Sequence, residues 1–211
     1  MASSISTAYE IRDCGRKGKG MVSVKDLRPG DVVVSETASI VVDENESDLV
    51  GPSIGDVYQQ YLALSPALRD QIRGLTFHAD DDWVSEDARK LEGADSRERD
   101  KLFAIFDVNC FASEDRKEAF LAVEVARINH SCAPNATYNI VSESGLITIT
   151  VRALRRISKD EEITIPYVPA TLLREERQKR LSKKWRFDCE CEACGSAPLL
   201  KDKTMNELIK I

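Results

Sequence analysis

The chain has 211 residues, 42% hydrophobic and 31% charged, with ten glycines and seven prolines. That mixture excludes a disordered or fibrous chain and suits one domain of about 200 residues, or one domain with an appendage. Thirty basic against 36 acidic side chains give a formal net charge of −6, which argues against a general binder of nucleic-acid phosphates.

At the N-terminus, residues 1–8 are rich in Ser and Thr, with neither a basic start nor an apolar core, and do not read as a secretory signal. Residues 9–42 read as β structure. Val22-Ser23-Val24, Val32-Val33-Val34 and Ala38–Val42 are short β-branched runs, and Arg28-Pro29-Gly30-Asp31 is a turn between the first two. From about 43 to 107 the character changes. Val57, Tyr61, Leu64 and Leu68 follow a helical period, and a second helix is expected across 96–106. Residues 80–100 between them carry nine acids against four bases, the pattern of a solvated loop and helix face.

Strands return at Ala136–Tyr138, Leu146–Val151 and Glu162–Tyr167, with Ser142–Gly145 as a hairpin turn. Residues 171–186 form a basic helix with seven bases and two acids, and a short tail, helical from Lys203, ends the chain. Strands, then helices, then strands, without alternating βαβ units, predict an α+β fold. No apolar run approaches the roughly 18 residues of a membrane-spanning helix.

The six cysteines are Cys14, Cys110, Cys132, Cys189, Cys191 and Cys194. Without a secretory signal they are expected to stay reduced, and a cluster is better used for metal ligation than for disulfides. Cys189-Glu190-Cys191-Glu192-Ala193-Cys194 sets three thiols within six residues. Zinc–thiolate bonds of about 2.3 Å in a tetrahedron can be met by that spacing. The fourth ligand must come from elsewhere: Cys132 is the leading candidate, with His130, Cys14 and Cys110 behind it. Such a closed site would be a structural staple rather than a water activator.

Three blocks together resemble a SET-domain protein lysine methyltransferase. They are Gly15-Arg16-Lys17-Gly18-Lys19-Gly20-Met21-Val22; Arg127–Ala136, containing Asn129-His130-Ser131-Cys132-Ala133-Pro134-Asn135, with Glu161–Tyr167; and the cysteine knot, which matches the post-SET zinc segment. Ile105–Phe111 and the long helical insert resemble the SET-and-MYND branch. Residues 43–107 contain no cysteine, so the MYND finger is absent from the insert. The resemblance implies small β-sheets with a pseudoknot, a SET domain at 9–168 with its insert at about 43–107, and a post-SET region at 169–211.

The resemblance also implies S-adenosylmethionine as methyl donor and zinc as structural metal. Lys17, Gly18 and Lys19 would flank the cofactor's amino-acid end, Asn109 would meet its carboxylate or amine, and Asn129 and His130 would bind it partly through main-chain contacts. Phe187 would pack on the adenine. Tyr167 would be the active-site tyrosine, touching the cofactor, lining the methyl-transfer pore and orienting the amine, and Cys132, Cys189, Cys191 and Cys194 the zinc ligands. A lysine amine has an ordinary pKa near 10.4, so presenting it neutral at pH 7 costs about 4.6 kcal/mol. A dry channel and the positive sulfonium both lower that pKa.

Two positions depart from the family pattern. Trp185 stands where the SET-and-MYND branch usually has a second tyrosine, and it would wall the lysine channel as a donor only. Asp160 replaces a turn glycine. Partners are expected to be protein lysine substrates, histones included, with no membrane or direct nucleic-acid contact, a monomeric state as the default, and a nuclear or cytoplasmic location. A catalytically silent SET-like interaction module, or a SET-fold enzyme acting on a small metabolite, are the rival readings.

Overall fold

Glycine turns and short β-branched runs produce small sheets here rather than one large one. The computed structural model describes residues 8–43, 54–78, 95–112 and 117–195. The chain divides into two units, one of residues 1–35, 127–139 and 150–211, the other of 36–126 and 140–149.

In the first unit, β1 (Tyr9–Asp13) and β2 (Lys19–Ser23) pair antiparallel from Tyr9↔Ser23 to Asp13↔Lys19. The glycine block forms the turn between them, a 3-10 segment at Gly15–Lys17 closed by the Cys14 N–H on the Gly18 carbonyl (2.7 Å). Two further short strands, β7 (Asn129–His130) and β10 (Thr164–Ile165), pair in parallel.

The strand expected across Glu162–Tyr167 is therefore shorter than its apolar run. Its residues divide their bonds between two neighbours. On one edge Ser23 N–H donates to the Glu161 carbonyl (3.0 Å) and Ile163 N–H to that of Met21 (2.8 Å); on the other, Ser131 N–H donates to the Ile165 carbonyl (3.1 Å). Pro166, which has no N–H, follows directly. This strap holds the glycine turn and the Asn129–Cys132 segment side by side.

Asn135 locks the strap in place. It is 2% exposed. Its amide nitrogen donates to the Glu162 carbonyl (2.8 Å) and to Glu161 Oε1 (3.0 Å), and its amide oxygen accepts the Thr164 N–H (2.8 Å). Asp160, at the turn before it, sits at φ 67°, the left-handed conformation that Asp tolerates better than most residues. The departure from glycine there is structurally accommodated. The unit is completed by α4 (Arg174–Trp185), numbered after the three helices of the second unit, and a single turn, α5 (Glu192–Gly195). Val168 and Leu181 pack with Cys132, Cys189 and Cys194.

In the second unit β4 (Ile40–Asp43), β5 (Phe111–Ala112) and β6 (Glu118–Leu121) form an antiparallel sheet in the order β4-β6-β5. The Gln60 side chain on α1 (Ile54–Ala63) both donates to and accepts from the backbone of Val41 in β4 (acceptor distance 3.0 Å). The helical period from Val57 to Leu68 breaks into two helices, α1 and α2 (Pro66–Arg73). Ser65 caps α2 by accepting the Leu68 N–H (3.3 Å), and Pro66 takes the first helical position. The helix expected at 96–106 is α3 (Asp95–Asn109). Val57, Tyr61, Ile72, Leu102, Ile105 and Phe106 close the core against Ile40 and Leu121.

Strands β3 (Val32–Thr37), β8 (Ala136–Glu143) and β9 (Leu146–Ala153) make a third sheet in the order β3-β9-β8. A two-residue turn joins β8 to β9, with Ser144 and Gly145 both at positive φ, as hairpin turns of this length require. The acidic run at 80–94 and the tail from Lys203 lie outside the described residues. No helix among the described residues is long and apolar enough to cross a membrane.

Replacing Asn135 with alanine leaves Thr164 N–H and the Glu162 carbonyl buried without partners. Urea denaturation of Asn135→Ala is expected to show a loss of about 2–3 kcal/mol, with the slope unchanged.

Candidate functional site

The four cysteines Cys132, Cys189, Cys191 and Cys194 meet in the first unit, with their sulfurs all within 4.8 Å of one another. Cys132 Sγ lies 3.9 Å from Cys189 Sγ and 3.5 Å from Cys194 Sγ, and its own N–H donates to Cys191 Sγ (3.3 Å). None of the four is in a disulfide. A tetrahedron with zinc–sulfur bonds of about 2.3 Å has sulfur–sulfur edges of about 3.8 Å, so the donor set and its spacing fit a zinc ion. Of the candidates for a fourth partner, the structure brings Cys132 to the trio, 57 positions away; Cys14 and Cys110 are not in the cluster. Hydrogen bonds from the Cys132 and Cys189 thiols hold Cys191 far below the ordinary thiol range, while hydrogen bonding to Cys189 pushes Cys132 far up. Sulfurs this close cannot all be thiolates without a cation among them.

His130 connects this cluster to the tyrosine. It is 4% exposed. Its Nδ1 accepts the Tyr167 N–H (2.9 Å), so the neutral ring carries its proton on Nε2, which faces Cys132 Sγ at 3.2 Å. Burial pushes the His130 pKa down to about 4, in keeping with a neutral ring. Around it lies an aromatic wall. The His130 ring is 5.3 Å from Tyr167 and 6.0 Å from Phe187, and Tyr167 is 5.0 Å from Trp185. The Tyr167 hydroxyl donates to the Ile128 carbonyl (2.7 Å). Burial, reinforced by the charge of Glu162, raises its pKa, so the phenol stays neutral and its oxygen keeps lone pairs free to accept.

On the glycine side, Glu162 is the hub. Lys17 Nζ pairs with Glu162 Oε2 (2.7 Å), and Asn129 Nδ2 donates to Glu162 Oε1 (2.9 Å). Gly20 makes that convergence possible: a Cβ there would stand 2.6 Å from Asn129 Nδ2, 2.7 Å from Cys14 Sγ and 3.0 Å from Glu162 Oε1. Gly18 is the opposite case. It takes φ 71°, and a Cβ on it would meet nothing within 4 Å, so the turn opens onto free space beside Lys17 and Lys19.

The SET-domain family model matches residues 18–168 of this chain. The chain belongs to the SET-domain family. Its α+β architecture of small sheets and helices is that of a SET domain. Among curated relatives, the pig protein named N-lysine methyltransferase SMYD2 (Sus scrofa) is 34% identical over 128 residues, covering 59% of this chain and 28% of that protein. The mouse Histone-lysine N-methyltransferase Smyd1 (Mus musculus) is 34% identical over 116 residues, 48% of this chain and 23% of that one. The Histone-lysine N-methyltransferase ASHR1 of Arabidopsis thaliana is 39% identical over 111 residues, 51% and 22%. The matches thus span about a quarter of these relatives' lengths. The resemblance to the SET-and-MYND branch holds by these likenesses.

The first unit gathers most of the residues singled out in the sequence. Lys17, Gly18, Lys19, Asn129, His130, Tyr167, Trp185, Phe187 and the four cysteines all belong to the first unit. Asn109 does not. It ends α3 in the second unit, where its amide donates to the Ile105 carbonyl of the helix and to the Thr76 carbonyl of the loop after α2 (both 2.7 Å). Two residues went unassigned in the sequence. Glu162 looked like one strand acid among several, and only its position beside Gly20 gives it a role. Arg177 looked like one more base of a basic helix, although its i, i+4, i+8 alignment with Leu181 and Trp185 marks the inward face.

Gly20→Ala is expected to cost about 1–3 kcal/mol by overpacking. In an Asn129→Ala background the cost shrinks. A double-mutant cycle by chemical denaturation should therefore return a coupling of about 0.5 kcal/mol or more; additive losses would contradict the contact.

Proposed function

We propose that this SET domain transfers a methyl group from S-adenosylmethionine to the amine of a protein lysine, with zinc held by Cys132, Cys189, Cys191 and Cys194. The observation that carries the proposal is convergence: the open glycine turn, the Asn129–His130 segment, Tyr167 and the cysteine cluster lie on one strap-bound framework within one unit. The names of the relatives support the reaction class and a protein acceptor, histones among them.

When bound, the sulfonium cofactor supplies an electrophilic methyl carbon, and attack by a nitrogen lone pair is an in-line displacement in which positioning carries most of the rate. Lys17 and Lys19 offer positive charge to the cofactor's carboxylate end, beside the free space at Gly18. Backbone groups of Asn129 and His130, with the ring of Phe187, take the nucleoside. Tyr167 donates its own proton to Ile128, so its oxygen can accept one N–H of the incoming amine and aim the nitrogen lone pair. Trp185 and Tyr167 wall the channel and exclude water, which keeps the amine neutral. The zinc ligands act through architecture: they tie the segment carrying Phe187 to the strap. We read residues 9–168 as the SET domain and 169–211 as the post-SET region, in a protein acting in nucleus or cytoplasm.

Calorimetry with S-adenosylmethionine, followed by radiolabelled methyl transfer to histones and cell-extract proteins, tests the reading. One bound cofactor and label in a protein band are expected; absence of cofactor binding by zinc-loaded protein would refute it. Tyr167→Phe should lower kcat about 10²-fold with cofactor affinity unchanged. Metal analysis should give one zinc per chain, and its removal by chelator should abolish cofactor binding until zinc is restored.

A further inference from the structure

Arg177 on α4 is 4% exposed, as buried as the core around it. Its Nη1 donates to the Leu172 carbonyl (2.5 Å), its Nη2 faces Cys194 Sγ at 4.0 Å, and its Nε has no partner. Among the described residues it makes no ion pair with any carboxylate, unlike Arg180 on the same helix, which pairs with Glu176 (2.8 Å). A guanidinium cannot shed its proton at any pH a protein survives, and burying an uncompensated charge is strongly unfavourable. A negative counter-charge must therefore stand beside it. The four-cysteine cluster is the group within reach: four thiolates around a divalent ion sum to a charge of −2.

We propose that Arg177 is the built-in counter-charge of the metal centre, a positioning residue that neutralises part of the tetrathiolate's charge from outside the ligand sphere. The inference rests on the zinc reading of the cluster and extends it to a residue that is not a ligand. The dependence runs both ways. The cation lowers the cost of gathering four thiolates in a buried place, and the loaded cluster gives the buried cation its partner. Removal of the metal disperses the gathered thiolates and takes most of the negative charge away from Arg177.

The test compares the full chain with Arg177→Met, of similar length but neutral, and Arg177→Lys, which keeps the charge and loses the planar fork. Zinc affinity is read by competition with a chromophoric chelator, and thermal midpoints are taken with and without zinc. Arg177→Met is expected to weaken zinc at least 10-fold, in the range found for outer-shell partners, while Arg177→Lys stays within about 3-fold of the parent. Without metal the order of midpoints reverses, because Arg177→Met removes the stranded charge and melts higher than the parent. Equal zinc affinity in the parent and Arg177→Met overturns the proposal, as does an Arg177→Lys protein as weak as Arg177→Met. If the parent itself binds no zinc, the zinc reading fails, and this inference with it. Should Arg177→Met not fold, Arg177→Gln replaces it, and cobalt loading gives an independent readout: the sulfur-to-cobalt charge-transfer band is expected to shift in the neutral variant and not in Arg177→Lys.

Discussion

Four sulfurs within 4.8 Å of one another are a demand as much as a feature. Thiolates at that spacing repel one another, and thiols at that spacing bury weak donors for little return, so the spacing suits a cation among them. Everything near it is arranged accordingly. The Cys132 N–H is turned toward Cys191, the His130 ring carries its proton on the nitrogen facing Cys132, and a buried guanidinium lies over Cys194. Because one of the four ligands comes from the centre of the chain and three from its late portion, meeting that demand closes the aromatic wall as well.

His130 shows how structure and chemistry share one side chain. One ring nitrogen touches a sulfur of the cluster while the other accepts the backbone N–H of Tyr167. The tyrosine's position is thus set through its backbone by the cysteine-bearing segment, and its hydroxyl is held on Ile128 of that same stretch. A metal bound at the cluster would govern the geometry of this phenol by rigid contact rather than by Lewis-acid chemistry. Glu162 plays the corresponding part on the other side, with one oxygen on Lys17 and one on Asn129 across a gap only glycine leaves open.

Much of this arrangement was legible in the chain. The knot announced itself by density, since three cysteines in six residues have few uses in a reduced protein. The Asn129–Asn135 segment was specific enough to indicate the family, where the glycine block alone was not, and β-branched runs between turns gave the small sheets. Where the sequence misled, local pattern had yielded to tertiary bonding. The helical period from Val57 to Leu68 ignored the capped break at Ser65-Pro66. The apolar run at 162–167 became a two-residue strand because the strap is shared between two partners.

By itself, the order of residues determined which side chains could bind a metal, open a turn or orient an amine, because those capacities belong to the functional groups. Only the tertiary structure decided which of them act together. Choosing Cys132 over Cys14 as the fourth sulfur, giving Glu162 its two partners and turning Arg177 inward all depend on distances between residues far apart in the chain. Those distances are set by packing and by the strap's hydrogen bonds, neither of which leaves a periodic trace in the sequence.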